Sequence, residues 1–95
     1  MQRRNATRVR LDRRATVRTS RGLRTLVRLV DLSIQGMGIM CEAAGERGTV
    51  LEVEVGLPLR GGVQAVKLYG EVYHSHLQGN QFYTGLKFVD LSDKD

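Results

Sequence analysis

Two short polar motifs hold the side chains of this chain that are best suited to chemistry. Arg4 and Arg8 stand four positions apart in an R-x-x-x-R pattern, and Asp31, Ser33 and Gly36 form a D-x-S-x-x-G pattern. The guanidinium of arginine is a planar fork that binds phosphate, or the O6 and N7 acceptors of guanine, through two hydrogen bonds. A carboxylate can accept hydrogen bonds from the N1–H and N2–H₂ donors of the same base. The two motifs together therefore predict a site for a guanine nucleotide.

Each motif taken singly also has a purely structural interpretation. An arginine pair within a charged segment is usually solvated and binds nothing in particular. Asp31 and Ser33 can bond their own backbone in a turn, where Gly36 would supply a positive φ. Both interpretations remain open for the separate motifs, and the presence of both motifs in one short chain favours ligand binding.

The positive charge of the chain is concentrated in its first third. Residues 1–28 contain ten arginines and one acid, Asp12, whereas residues 29–95 contain five basic and nine acidic side chains. The net charge of +5 is therefore the difference between a strongly basic segment and an acidic remainder. Because arginine matches planar and bidentate acceptors better than lysine does, this segment is expected to bind phosphates and bases.

The composition predicts one small globular domain that neither spans a membrane nor catalyses a reaction. The chain has 95 residues, 41% of them hydrophobic, and no apolar run near the roughly 18 residues of a membrane span. Its N-terminus lacks the apolar segment of a secretory signal, which predicts a cytoplasmic location. Cys41 has no second cysteine for a disulfide, His74 and His76 are too few for a catalytic zinc, and Ser33 has no histidine in sequence reach. We expect no metal site and no catalytic residue.

The alternation of apolar and polar residues with a period of two predicts an all-β fold. The pattern is clearest over residues 51–57 and 66–72, and the first strand is expected to begin at Ala15. Short strands separated by turn signals are typical of small antiparallel barrels. We predict a small antiparallel β-barrel of six to seven strands in residues 14–95, preceded by a flexible, arginine-rich arm in residues 1–13.

The second strand is expected to present the D-x-S side chains to solvent. If Leu26, Val30 and Leu32 face the core, then Asp31 and Ser33 face outward together, since alternate residues of a strand share a face. This arrangement would let the carboxylate and the hydroxyl contact one ligand.

The order and separation of the two motifs, ahead of a small β domain, resemble the PilZ family of cyclic di-GMP receptors. Further likeness lies in residues 36–39 (Gly-Met-Gly-Ile), in 70–74 (Gly-Glu-Val-Tyr-His) and in 85–91, where Gly-Leu-Lys-Phe is followed by Asp-Leu. The resemblance covers nearly the whole chain. It implies a PilZ-like split barrel, with cyclic di-GMP as the ligand and no cofactor.

The resemblance also implies a set of ligand-binding residues. They are Arg3, Arg4, Arg8, Asp31, Ser33, Gly36 and His74. The R-x-x-x-R arginines would contact guanine and phosphate, and the D-x-S-x-x-G motif would hold the other guanine face. The imidazole of His74 stands near the position where many relatives have an aromatic residue packed on the ligand. Arg3 adjoins the arginine pair and would serve a second, stacked ligand molecule.

Two functions of different classes follow from these observations. The first is a non-enzymatic cyclic di-GMP receptor whose arm becomes ordered on binding and which signals to an unidentified downstream protein. The second is a small basic barrel that binds RNA or single-stranded DNA. Tyr69 and Tyr73 share a strand face and could stack on bases, although cross-strand packing is the commoner role of such pairs. The few aromatic residues, two Phe and three Tyr, and the acidic barrel count against nucleic acid.

Overall fold

The computed structural model describes residues 8–90, which form six antiparallel strands and the loops that connect them. The strands are β1 Val9–Arg18, β2 Arg24–Leu32, β3 Gly36–Cys41, β4 Val50–Leu59, β5 Gly62–Gln78 and β6 Gln81–Phe88. They close into a barrel in the order β1-β2-β3-β6-β5-β4. The predicted all-β fold, a small antiparallel barrel of six to seven strands, is confirmed. None of the elements in residues 8–90 is a helix that could cross a membrane.

Every strand of the barrel contributes apolar side chains to one core. In β4, Val53 and Val55 are buried and alternate with the half-buried Glu52 and Glu54, as the period of two requires. The buried apolar residues are Ala15, Val17, Val27, Leu29, Met37, Ile39, Val53, Val55, Val72 and Leu86. Since these side chains are directed into the core, the alternate side chains of each strand lie on the outer face of the barrel and are available for binding.

The first strand begins earlier than the sequence indicated. It starts at Val9 and not at Ala15, so the predicted boundary between arm and barrel, after residue 13, falls inside β1. Val9 pairs with Leu32, and the register against β2 shifts between Arg10 and Arg13. Val9 and Leu11 alternate with Arg10 and Asp12, a pattern that allows an edge strand, but the many arginines of this segment favoured its interpretation as an arm. Residues 3 and 4 of the predicted clamp lie outside the described residues.

The second strand carries a bulge that changes which side chains face the core. Val27 and Leu29 are buried, whereas Leu26 is 74% exposed, so the predicted inward direction of Leu26 is wrong. Pairing with β3 joins Leu29 to Ile39 and then Asp31 to Gly38, which leaves Val30 as an extra residue. Beyond the bulge Leu32 packs against the core again, so Asp31 is directed outward as predicted.

The fifth strand is long enough to pair with two neighbours in succession. Its first part pairs with β4 and its last part with β6, and Gly70 pairs with residues of both. A Cβ at Gly70 would lie 2.8 Å from the Cβ of Leu86, so only glycine fits at this corner. The register against β6 then shifts between Val72 and His74, which makes Tyr73 a bulge residue on the outer face.

Candidate functional site

A carboxylate with two donors connects the two motifs. Asp31 accepts hydrogen bonds from Nη1 of Arg8 at its Oδ1 (2.6 Å) and from the hydroxyl of Tyr83 at its Oδ2 (2.8 Å). The Asp31 side chain is 13% exposed, whereas that of Arg8 is 47% exposed. Asp31 therefore fixes the last arginine of R-x-x-x-R at the entrance to β1 and leaves part of its guanidinium accessible.

Glycines on β3 and β6 make room for this cluster against the outer face of the barrel. A Cβ on Gly38 would collide with the Tyr83 hydroxyl and with Oδ2 of Asp31, and a Cβ on Gly85 would come within 2.9 Å of the Tyr73 ring. Gly38 and Gly85 are direct cross-strand partners, so the two together form a patch without side chains. The rings and the carboxylate can therefore lie flat on the backbone.

The D-x-S-x-x-G motif continues into a tight turn between β2 and β3. The Ser33 hydroxyl accepts from the backbone N–H of Gln35 (3.1 Å) and of Gly36 (3.3 Å), and the N–H of Ser33 donates to the carbonyl of Gly36 (2.9 Å). The N–H of Phe88 donates to the carbonyl of Gln35 (3.0 Å), which fastens the turn to the end of β6. A Cβ on Gly36 would collide with the carbonyl oxygen of Leu86. Ser33 and Gly36 thus shape the backbone here.

This turn borders a cleft of about 480 Å³ beside the Arg8 cluster. The lining residues are Arg8, Ile34, Gln35, Gly36, Tyr73, Leu86, Lys87 and Phe88. The volume lies in the range of small-molecule sites, about 300–1,000 Å³. Two cations approach it, Arg8 from just before β1 and Lys87 from β6, and Nζ of Lys87 lies 5.6 Å from the centroid of the Tyr73 ring. Such a cleft offers charge for phosphates and an aromatic face for a base.

The structure brings together some of the predicted site residues and not others. Arg8 and Gly36 line the cleft, and Asp31 adjoins it through its ion pair with Arg8. The Ser33 hydroxyl is engaged in the turn. His74 is not among the lining residues. The clamp residues at positions 3 and 4 lie outside the described part of the chain.

His74 belongs instead to a group of rings next to the cleft. Its imidazole is parallel to that of His76 (centroids 5.3 Å apart, planes at 3°), and Tyr83 stacks on both at 5.7 and 5.4 Å. Tyr73 meets His74 edge-on at 4.8 Å. His74 therefore connects the ring in the cleft to the phenol that holds Asp31. In residues 8–90, no three His, Cys, Asp or Glu side chains are grouped so that they could hold a metal ion.

Sequence reasoning missed Lys87 and Tyr83, and for Tyr73 it considered base stacking but favoured cross-strand packing. Tyr73 follows the buried Val72 and faces outward as the period of two requires, whereas the bulge turns His74 to the same outer face. No periodicity argument locates a bulge in advance. Tyr83, Gly85 and Lys87 are alternate residues of β6 and share its outer face. A glycine in the middle of such a face marks a place where other side chains can approach the backbone, and this signal could have identified its two neighbours.

The electrostatics of the cluster favour one protonation pattern at neutral pH. Burial acts to lower the pKa of Arg8, but Asp31, Tyr83 and Tyr73 act in the other direction and the net pKa is raised. The pKa of Tyr83 is also raised, first by burial and then by the hydrogen bond to Asp31. Arg8 is therefore charged and the Tyr83 hydroxyl protonated, so both can donate to Asp31.

The profile of the PilZ domain matches residues 2–95. This chain belongs to the PilZ domain family. PilZ domains are cyclic di-GMP-binding effectors and not enzymes. The match includes both motifs and all six strands. No curated protein matches the sequence.

Solved structures share the fold of this PilZ domain at low sequence identity. The inhibitor of motility MotI/DgrA of Bacillus subtilis superposes with a TM-score of 0.76 at 16% identity, over 95% of this chain and 44% of that chain. The PilZ domain of YcgR from Escherichia coli, solved with c-di-GMP, gives 0.68 at 19% identity, over 97% and 82%. The MrkH–c-di-GMP complex of K. pneumonia gives 0.69 at 17% identity, over 98% and 48%. This PilZ domain thus spans less than half of the MotI and MrkH chains.

Proposed function

We propose that this PilZ domain is a non-enzymatic receptor that binds cyclic di-GMP in the cleft beside Arg8. The observation that carries the proposal is the ion pair between Arg8 and Asp31, since it joins the two motifs at the edge of a cleft of suitable size. Family membership and neighbours solved with c-di-GMP support the choice of ligand. The proposed receptor acts in the cytoplasm.

The chemistry of the cleft assigns a role to each group around it. Arg8 and Lys87 are the cations for the phosphates, and the Tyr73 ring is the face on which a guanine stacks. Ser33 and Gly36 hold the turn that forms one wall. His74 supports the Tyr73 ring from its edge and completes the aromatic surface for the ligand.

Asp31 can read guanine only after an exchange of partners. Both of its oxygens have donors in the ligand-free protein. On binding, Arg8 turns from Asp31 to the ligand, and Oδ1 of Asp31 then accepts from the guanine N1–H and N2–H₂ group. Each step replaces one charge-assisted hydrogen bond by another, so neither the carboxylate of Asp31 nor the guanidinium of Arg8 is left without a partner in the complex.

The arm that precedes β1 supplies the rest of the clamp. Arg3 and Arg4 bind the ligand from the side opposite to Asp31, and the arm becomes ordered when they do. The ordered arm is the signal that a downstream protein recognises. Ligand binding can drive this change only through a higher affinity for the ordered state.

Calorimetric titration of the purified protein with cyclic di-GMP tests the proposal and also gives the number of ligand molecules bound. We expect saturable binding that cyclic di-AMP does not displace, because adenine lacks the guanine donor pair. Titration with an oligonucleotide at two salt concentrations tests the alternative, binding of RNA or single-stranded DNA. The affinity for nucleic acid falls steeply with salt because counterions are released on binding. Absence of cyclic di-GMP binding, with tight and salt-dependent binding of an oligonucleotide, would reverse the assignment.

A further inference from the structure

The outer face of the β1–β2 hairpin bears a set of arginines that the nucleotide site does not use. Arg14 pairs with Arg28, Thr16 with Leu26, and Arg18 with Arg24, each directly across the two strands. The residues between them in sequence are Ala15, Val17, Thr25 and Val27, and all of these except Thr25 are buried, so the three pairs lie on the outer face. We call the surface formed by Arg14, Thr16, Arg18, Arg24, Leu26 and Arg28 the arginine strip.

Like charges lie opposite each other twice in the arginine strip. Such pairs destabilise an antiparallel sheet, because directly opposite side chains are within about 5.5 Å at Cβ. Asp12 neutralises Arg28 through two hydrogen bonds of 2.8 and 2.7 Å. Within residues 8–90, no ion pair joins Arg14, Arg18 or Arg24 to an acid. Glu52 lies across from Arg18 on the β4 side without forming an ion pair with it, so the repulsion in the strip is only partly compensated and an external anion would relieve the rest.

The shape of the arginine strip indicates what kind of anion it fits. Residues 14 and 18 are about 13 Å apart along β1, from about 3.3 Å per residue, and Leu26 lies between the arginine pairs with 74% of its surface exposed. On the β4 side the strip is bounded by carboxylates, since Arg18 pairs with Glu52 and Thr16 with Glu54. The strip is thus two strands wide, with an aliphatic centre and no aromatic ring for base stacking.

We propose that the arginine strip is a docking surface for an acidic segment of a partner protein. Aspartate or glutamate side chains of the segment bind between the arginines, where the guanidinium groups of Arg14, Arg18 and Arg24 can each hold a carboxylate by two hydrogen bonds. An apolar side chain of the segment covers Leu26. The chemistry is complementary in both respects: charge at the two ends of the strip and apolar surface in its middle.

The position of the arginine strip lets it act together with the nucleotide cleft. In the β1–β2 hairpin, Val9 pairs with Leu32 at the end beside Arg8, and Arg18 pairs with Arg24 at the turn. The partner can therefore occupy the turn end of the hairpin while the ligand occupies the other end. Neither would cover the other.

Nuclear magnetic resonance titration of the labelled protein with two probes of equal charge tests the proposal. One probe is a short peptide in which glutamates flank a central leucine at alternate positions, and the other is an oligothymidylate. We expect the peptide to bind more tightly and to shift the amides of residues 14–18 and 24–28. The double substitution Arg18→Gln/Arg24→Gln should lower the affinity for the peptide by about fivefold or more, because charge-assisted hydrogen bonds to its carboxylates are lost. The matched control is Arg60→Gln, an exposed arginine in the β4–β5 turn, which should leave the affinity unchanged.

Four results would overturn the docking surface. They are tighter binding of the oligothymidylate, shifts spread evenly over the protein, an equal loss in the Arg60→Gln control, and self-association of the free protein through the arginine strip in sedimentation experiments. Calorimetry with cyclic di-GMP on the same variants keeps this test separate from the receptor proposal. Both glutamine variants should bind the nucleotide as the unchanged protein does, whichever way the peptide experiment turns out.

Discussion

Asp31 is the side chain on which the candidate site most depends, because donors from two other elements meet on its carboxylate. Arg8 precedes β1 and Tyr83 lies on β6, and neither has another hydrogen-bond acceptor within the described residues. Replacing one member of such a group changes the surroundings of the others. The effects of single substitutions here are therefore expected to be non-additive.

Removing the guanidinium of Arg8 should weaken cyclic di-GMP binding by about tenfold or more. The substitution Arg8→Ala deletes charge-assisted hydrogen bonds worth roughly 1.5–3 kcal/mol each, and about 1.4 kcal/mol corresponds to a factor of ten. Calorimetry gives the affinity, and Arg21→Ala, in the β1–β2 turn away from the cleft, is the control. The clamp is wrong if Arg8→Ala binds the ligand as tightly as Arg21→Ala does.

The substitution Asp31→Asn should distinguish direct recognition of guanine from a role in positioning Arg8. An amide N–H facing the guanine donors leaves them unpaired, which costs about 1–3 kcal/mol for each buried group. A cyclic dinucleotide with inosine bases lacks the N2 amino group and should therefore lose less affinity than cyclic di-GMP when Asp31 is changed. Titrating both ligands into both proteins gives a double-mutant cycle. A coupling energy near zero would falsify direct readout and leave Asp31 as a positioning residue.

The raised pKa of Tyr83 predicts how the stability of the domain depends on alkaline pH. A phenol whose pKa is higher in the folded protein than in the unfolded chain stabilises the fold fully below the unfolded value of about 10, and this contribution disappears as the pH rises through the folded value. The difference in unfolding free energy between the unchanged protein and Tyr83→Phe should therefore be largest near neutral pH and shrink above pH 10. Urea denaturation at several pH values measures it. A difference that grows with pH would contradict the raised pKa of Tyr83.

At the level of the strands, the sequence predicted the period-two elements and failed where a strand is irregular. The alternation of Val53 and Val55 with glutamates identified β4 correctly. The directions of Leu26 and Val30 could not be inferred, since the bulge at Val30 depends on the pairing with β3 and leaves no mark on the alternation. The same limit applies to His74, whose outward direction depends on the bulge between Val72 and His74. Arg8 and Asp31 were recognised from their motifs, whereas their direct contact is a property of the closed fold.

The arginine strip predicts that a charge-removing substitution will stabilise the free hairpin. Arg24→Gln removes one of two cations that face each other across β1 and β2, and like-charge pairs of this kind cost roughly 0.2–1 kcal/mol. Thermal or urea denaturation should show a higher free energy of unfolding than in the Arg60→Gln control. A second substitution, Arg18→Gln, should then add less, because the repulsion is already gone. Loss of stability on Arg24→Gln would show that the two guanidinium groups do not repel in the folded protein.

On the scale of the whole molecule, the receptor proposal requires a change confined to the segment before the barrel. The core draws on all six strands, so the barrel is expected to respond as one rigid unit. The backbone amides of residues 1–8 should therefore become more protected against hydrogen exchange when cyclic di-GMP is added, and those of β4 should change little. Equal protection of residues 1–8 in the free and bound protein would exclude ordering of the arm as the signal.

The closure between β1 and β4 is one of the two shortest pairings of the hydrogen-bonded ring; the other, between β2 and β3, joins strands that a tight turn already connects. The β1–β4 closure extends from Ala15–Val55 to Arg18–Glu52, whereas β4 and β5 are paired from Val50–Glu71 to Leu59–Gly62. If the ring opens there, two unpaired strand edges appear at once, each able to recruit a strand from another molecule. The short seam therefore makes strand exchange between copies the first route by which this domain would aggregate. Conditions that weaken the seam, such as heating or mild denaturant, should promote that exchange before the remaining strand pairs separate.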